Sequence, residues 1–114
     1  MAILLIDDSF DFRASLSILL ERAGFQSLEA DDGEVGIQLA QDNVIEAILC
    51  DMTMPDMTGN EVYRALQQSE KTAHIPFIFL TGMMRTDVPE GAIYLQKPLK
   101  LDMLLQTLDK VIQR

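Results

Sequence analysis

Short runs rich in apolar residues alternate along this chain with longer stretches whose apolar positions recur at helical spacing. The runs fall at residues 2–6, 25–30, 47–50, 77–80 and 92–95. Runs of this length bounded by turn formers read as buried strands, and their alternation with amphipathic segments is the pattern of a parallel sheet with crossover helices. Ser9 is placed to cap a first helix on which Phe12, Leu16, Leu19, Leu20 and Ala23 share a side, and Gly24 supplies its stop. Asp31, Asp32 and Gly33 turn the chain into a shorter second helix over 34–42. A third helix begins near Gly59 and buries Val62 and Leu66. A closing helix carries the apolar stripe Leu101, Leu104, Leu105, Leu108, Val111 and Ile112. Pro76, which lacks a backbone donor, stands just before the fourth run, where a strand tolerates it.

Between the fourth and fifth runs the pattern breaks. Residues 82–91 include Pro89 and end on Gly91, whereas a parallel crossover usually takes about a dozen residues or more. Ten extended residues reach at most roughly 33–36 Å, but as a helix they cover only about 15 Å and leave nothing for loops. The spacing predicts a loop or a single turn there, and no full helix. No linker, repeat or low-complexity tract interrupts the rest, so residues 1–114 are expected to form one α/β domain.

Composition narrows the function classes. With 114 residues and 48% hydrophobic content, the chain can bury a core without disulfide or metal staples. A net charge of −9 repels phosphate backbones and anionic headgroups, so direct binding of nucleic acid or membrane is not expected. The apolar start is too short for a signal peptide, and nothing approaches the length of a membrane span. The single cysteine, Cys50, cannot form an internal disulfide and fits a reducing cytoplasm.

The candidate chemistry lies where the runs stop. Asp7 and Asp8 follow the first, Asp51 the third, Thr81 and Gly82 the fourth, and Lys97-Pro98 comes just after the fifth. Ligands of open α/β sheets bind outside the carboxyl ends of the strands, so residues spread over the whole chain converge there. Three clustered carboxylates repel one another unless a cation shares the site, and an all-oxygen set suits a hard divalent ion, magnesium first. Because magnesium is held by few carboxylates, Asp51 keeps an oxygen free to attack phosphorus. The Thr81 hydroxyl and the Lys97 ammonium then stabilise charge on the phosphoryl oxygens, with Gly82 leaving room for the group.

On these residues, together with the segment Asp51-Met52-Thr53-Met54-Pro55-Asp56-Met57-Thr58-Gly59 and with Tyr94-Leu95-Gln96-Lys97-Pro98, the chain resembles a response-regulator receiver domain of bacterial two-component signalling. The resemblance covers essentially the whole chain. It implies a flavodoxin-like doubly wound sheet of order 2-1-3-4-5, which general accounts of that fold illustrate with a receiver. It implies that Asp51 accepts a phosphoryl group from a histidine kinase or histidine phosphotransfer protein. The domain would then signal rather than act as an enzyme, with intrinsic self-phosphorylation and autodephosphorylation. Magnesium would be ligated directly by Asp8 and Asp51, through water by Asp7, and by the backbone carbonyl of Thr53. The Lys97-Pro98 bond would be cis. On phosphorylation Thr81 would move toward the phosphoryl group and Tyr94 would rotate inward; spacing alone also admits Tyr94 as a residue packing the sheet edge, and its place at the family's position favours the switch.

The short stretch after Thr81 departs from the family, which usually carries a helix between strands four and five. Residues 76–82 also resemble a receiver subgroup in which a mobile loop replaces that helix, and the 83–91 loop is expected to order upon phosphorylation or partner binding. Met83 and Met84 either cover apolar surface left bare there or offer a partner surface. Met83 and Thr53 hold positions that gate attacking water, which predicts a modest autodephosphorylation rate. Met54 and Met57 are expected to pack the loop after Asp51, Cys50 to be a small buried hydrophobe, and His74 to be an exposed loop residue.

A phosphatase of the haloacid dehalogenase type also forms an aspartyl phosphate, but it needs an acid two residues after the nucleophile, where this chain has Thr53. A pseudo-receiver serving only as an interaction module is a third reading, set against the intact Asp7, Asp8, Asp51, Thr81 and Lys97. No effector domain follows the last helix within this chain, which fits either a protein acting alone or part of a longer one.

Overall fold

In the computed structural model, which describes residues 1–82 and 88–112, five parallel strands form one sheet: β1 (Ala2–Ile6), β2 (Gln26–Ala30), β3 (Ile45–Asp51), β4 (Phe77–Thr81) and β5 (Ile93–Gln96). Their order is β2-β1-β3-β4-β5, the doubly wound order expected. The described helices are α1 (Phe10–Arg22), α2 (Gly33–Asp42), α3 (Gly59–Gln67) and α4 (Leu101–Ile112). Two apolar clusters lie on the two faces of the sheet. Leu4, Ile6, Ile48, Phe77 and Phe79 meet Ala40, Val62 and Leu66 of α2 and α3 on one side. Ile3, Leu5, Leu49, Ile78 and Leu80 meet Leu16, Leu20, Leu104 and Leu108 of α1 and α4 on the other. With both faces covered, β1 and β4 are buried at every position, which is why they read as unbroken apolar runs.

Local signals set the element ends. The Ser9 side chain accepts the Phe12 N–H at 3.2 Å, and Gly24 adopts φ +94°, a left-handed value open to glycine, where α1 stops. Thr58 and Glu61 close a capping box on α3. Tyr63 packs its ring against Phe77 and Phe79, with centroids 5.2 and 5.7 Å away, and so fastens α3 to β4.

Several boundaries differ from the sequence reading: β2 starts at Gln26, α2 starts at Gly33 and β4 extends to Thr81, each a shift of one residue. β3 begins at Ile45 rather than at 47, because the register between β1 and β3 slips after Ala2 and Glu46 is the extra residue. The charged Glu46 interrupts the apolar run and so hides Ile45 in the sequence. At its other end β3 includes Asp51, which pairs with Leu80. β5 runs from Ile93 to Gln96, one residue later than expected, because Ala92 closes a turn onto the Pro89 carbonyl at 3.0 Å. Among the described residues no helix stands between β4 and β5; Val88 lies in a bend and Glu90-Gly91 in a turn. The expectations for Met83 and Met84, and for the first part of the 83–91 loop, lie outside the described residues.

Candidate functional site

The carboxyl ends of β1 and β3 bring the expected acids together. Asp7, Asp8 and Asp51 can each offer one carboxylate oxygen such that the three lie within 4.8 Å of one another. Asp7 is buried, its side chain only 2% exposed, while Asp8 faces solvent. Each oxygen of Asp7 also accepts a hydrogen bond. Its Oδ1 accepts the Ser9 N–H at 2.9 Å, its Oδ2 accepts from Lys97 Nζ at 2.7 Å, and its backbone carbonyl accepts from Arg13 Nη1 at 2.6 Å. Lys97 comes from the turn after β5, held there by its own N–H on the Thr81 carbonyl at 2.7 Å, and its bond to Pro98 is cis as expected. The ammonium lies 3.7 Å from Asp51 Oδ1.

Burial raises the pKa of Asp51 above its ordinary value. Lys97 opposes that rise, Asp7 adds to it, a hydrogen bond from the Thr53 N–H opposes it, and Asp8 adds to it. An anion crowded by two others and partly withdrawn from water is a site that a cation relieves. The donor set is all oxygen, which fits magnesium and not a thiophilic or imidazole-seeking metal. Gly59 secures the geometry from behind: a Cβ there would stand 2.7 Å from the Asp51 carbonyl oxygen, and its N–H holds the Met52 carbonyl at 2.8 Å. Only glycine permits α3 to approach the strand end so closely.

Thr81 ends β4, one residue past the partner of Asp51. It is buried, and its Oγ1 has no hydrogen-bond partner among the described residues. Alternation along β4 puts Thr81 on the α2/α3 face, the face against which Tyr94, paired with Phe79, packs as a partly buried ring. Gly82 is exposed, and among the described residues an added Cβ there would touch nothing within 4 Å. Cys50 is buried and its thiol pKa is raised, first by burial and then by Asp51, as an inert core residue requires. Met54 and Met57 pack into the α2/α3 core, and His74 is exposed.

The chain matches the response regulator receiver domain over residues 3–109. It belongs to that family. Chemotaxis protein CheY of Pseudomonas aeruginosa is 30% identical to it over 121 residues, covering 100% of this chain and 98% of the relative. Protein PilH of the same organism is 34% identical over 116 residues, covering 96% of each. Among solved structures, chemotaxis protein CheY4 of Vibrio cholerae is 32% identical with a TM-score of 0.85, over 97% of this chain and 98% of that one. The receiver domain of a sensor histidine kinase from Pseudomonas aeruginosa, with a magnesium ion coordinated in its active-site cleft, superposes with a TM-score of 0.91 at 26% identity, over 99% and 98% of the two chains. This chain is therefore a receiver domain of two-component signalling. No described helix is long and apolar enough to cross a membrane.

The contacts of three residues at this receiver site were not read from the sequence. Arg13 binds the Asp7 carbonyl and also pairs with Glu29 at 3.1 Å. The carboxylate of Asp56 accepts the Gly33 N–H at 3.0 Å and reaches the Glu34 N–H at 3.4 Å, so it caps α2 from the loop after Asp51. The ring of Phe12 lies beneath the Lys97 ammonium at 4.2 Å. A basic residue one turn into a helix opened by an Asp-Asp pair was the available signal for Arg13; the other two contacts leave none.

Proposed function

We propose that this receiver, as a single unit spanning residues 1–114, accepts a phosphoryl group on Asp51 from the phosphohistidine of a histidine kinase or histidine phosphotransfer protein. The observation that carries this reading is the cluster of Asp7, Asp8 and Asp51, with Lys97 lying between Asp7 and Asp51. In the transfer an Asp51 oxygen bonds to phosphorus, the P–N bond breaks, and the imidazole leaves with a proton. Asp8, Asp51 and the Thr53 carbonyl would hold magnesium, with Asp7 acting through water, and the ion bound there would supply positive charge against the phosphoryl oxygens.

The chain's own groups do the rest. Lys97 releases part of its hold on Asp7 and donates to a phosphoryl oxygen. Thr81, whose hydroxyl lacks a described partner in the resting protein, donates to another, and Gly82 admits the group. Phosphorylation adds close to two negative charges and three acceptors. Movement of Thr81 on the face it shares with Tyr94 opens space for that ring to turn inward, which changes the surface around β5 for a protein partner. The acidic surface and the absence of a membrane-spanning helix among the described residues support a cytoplasmic role without direct contact with nucleic acid or membrane.

Incubation with acetyl phosphate and magnesium, followed by mass spectrometry, tests the reading. One stable phosphoryl adduct on Asp51, lost in Asp51→Asn, is expected. Fast multiple turnover would favour a phosphatase instead, and no adduct would favour a pure interaction module.

A further inference from the structure

Four contacts close a ring around the Lys97 ammonium. Asp7 Oδ1 accepts the Ser9 N–H at 2.9 Å, and Ser9 Oγ accepts the Phe12 N–H at 3.2 Å. The Phe12 ring then lies 4.2 Å from Lys97 Nζ, and Nζ returns to Asp7 Oδ2 at 2.7 Å. The aspartate that pairs with the lysine thus also fixes the turn that presents the ring to it. Phe12 is itself half-buried against the α1/α4 core, so its ring is not free to wander.

A lysine ammonium is compact, strongly hydrated and carried on a flexible stem, and the Lys97 side chain is 27% exposed. Asp7 alone would hold it by a short charged hydrogen bond and oppose its transfer to any other oxygen. A ring face attracts the same cation through its quadrupole without requiring a directed N–H. The three donors can therefore turn from carboxylate to phosphoryl oxygen while the nitrogen stays over the ring. The ring also keeps water from one flank of the cation, which strengthens its field at Asp51.

We propose that Phe12 is a positioning residue for phosphoryl transfer, its ring face holding the Lys97 ammonium ready for the oxygens that arrive at Asp51. The proposal rests on the reading of Asp51 as phosphoacceptor.

Progressive fluorination of Phe12 in the full chain tests it, because one, two and three ring fluorines weaken the quadrupole with little change of shape. The readouts are the rate of Asp51 phosphorylation by acetyl phosphate at saturating magnesium, the affinity for beryllofluoride, and the melting temperature. With the melting temperature steady, rate and affinity are expected to fall stepwise, by roughly threefold to tenfold at three fluorines, within the range of cation–π contacts. Phe12→Leu should show a comparable loss and Phe12→Tyr should recover most of it. A flat fluorine series with Asp51 still labelled would overturn the role of Phe12 alone. Failure of the parent chain to label would overturn the phosphoacceptor reading and this proposal with it.

Discussion

Asp7 and Lys97, 90 residues apart in sequence, are joined by a 2.7 Å hydrogen bond, whereas the same ammonium stands 3.7 Å from Asp51. The pair is unequal, since the Asp7 side chain is 2% exposed and that of Lys97 27%. Among the described residues, removing the lysine leaves a buried carboxylate with only the Ser9 N–H on its side chain. Lys97→Met is expected to lower the unfolding free energy by about 1–3 kcal/mol, a range reduced for the partial exposure of Lys97. Adding Asp7→Asn to that variant should recover most of the loss. Urea denaturation of the two single variants and the double variant measures the coupling, and additive effects would refute it.

Asp51 yields a pH prediction. Its folded pKa is raised above its ordinary value of 3.8, so the native state binds this proton more tightly than the unfolded chain. The contribution is present below the unfolded pKa and is lost as pH rises through the folded value. At neutral pH the ionised Asp51 therefore weighs against the fold. Asp51→Asn should melt a few degrees higher than the parent at pH 7, with the gap closing toward pH 3. Magnesium should stabilise the parent more than the variant. Equal melting temperatures at pH 7 would contradict this account of the site.

Much of this architecture is legible in sequence because buried parallel strands leave apolar runs and their ends fall beside the acids. Asp7, Asp8, Asp51, Thr81 and Lys97 each stand at or just past such an end, so the site follows once the topology is granted. What stays hidden depends on contacts between elements. Glu46, a charged residue accommodated in a bulge, breaks the apolar run and masks the true start of β3. Phe12 carries the spacing of a core residue, and nothing local tells that its ring meets an ammonium from the far end of the chain. Asp56 looks like one more loop acid until α2 is folded beside it.

Under the proposed mechanism Thr81 sets stability against switching. A buried hydroxyl without a partner costs about 1–3 kcal/mol relative to a satisfied one, and Thr81 Oγ1 has none among the described residues. Thr81→Val, which keeps the shape, should leave the unphosphorylated protein as stable as the parent or about 1 kcal/mol more so. The same substitution should slow phosphorylation and blunt any change at Tyr94, read from the NMR shifts of its ring. A clear loss of stability would show that the hydroxyl has a structural duty.

Asp56 joins the loop after Asp51 to the N-terminus of α2. Asp56→Ala should cost about 1 kcal/mol, as loss of a helix cap does, and should speed amide exchange at Gly33 and Glu34. Asp56→Asn, which keeps an acceptor, should lose less. If exchange at these two amides were unaltered in the alanine variant, the cap would be inconsequential in solution.

The placement of β3 has a consequence for how any signal must leave this site. The strand is flanked by β1 and β4, and beyond its end the Met52 N–H bonds to the Leu80 carbonyl while the Met52 carbonyl is held by Gly59. The backbone beneath Asp51 is thus pinned from three directions. In the proposed transfer, incoming charge would meet an anvil rather than a spring, leaving the response to side chains and to the segments around β5, at the opposite border of the sheet from β2.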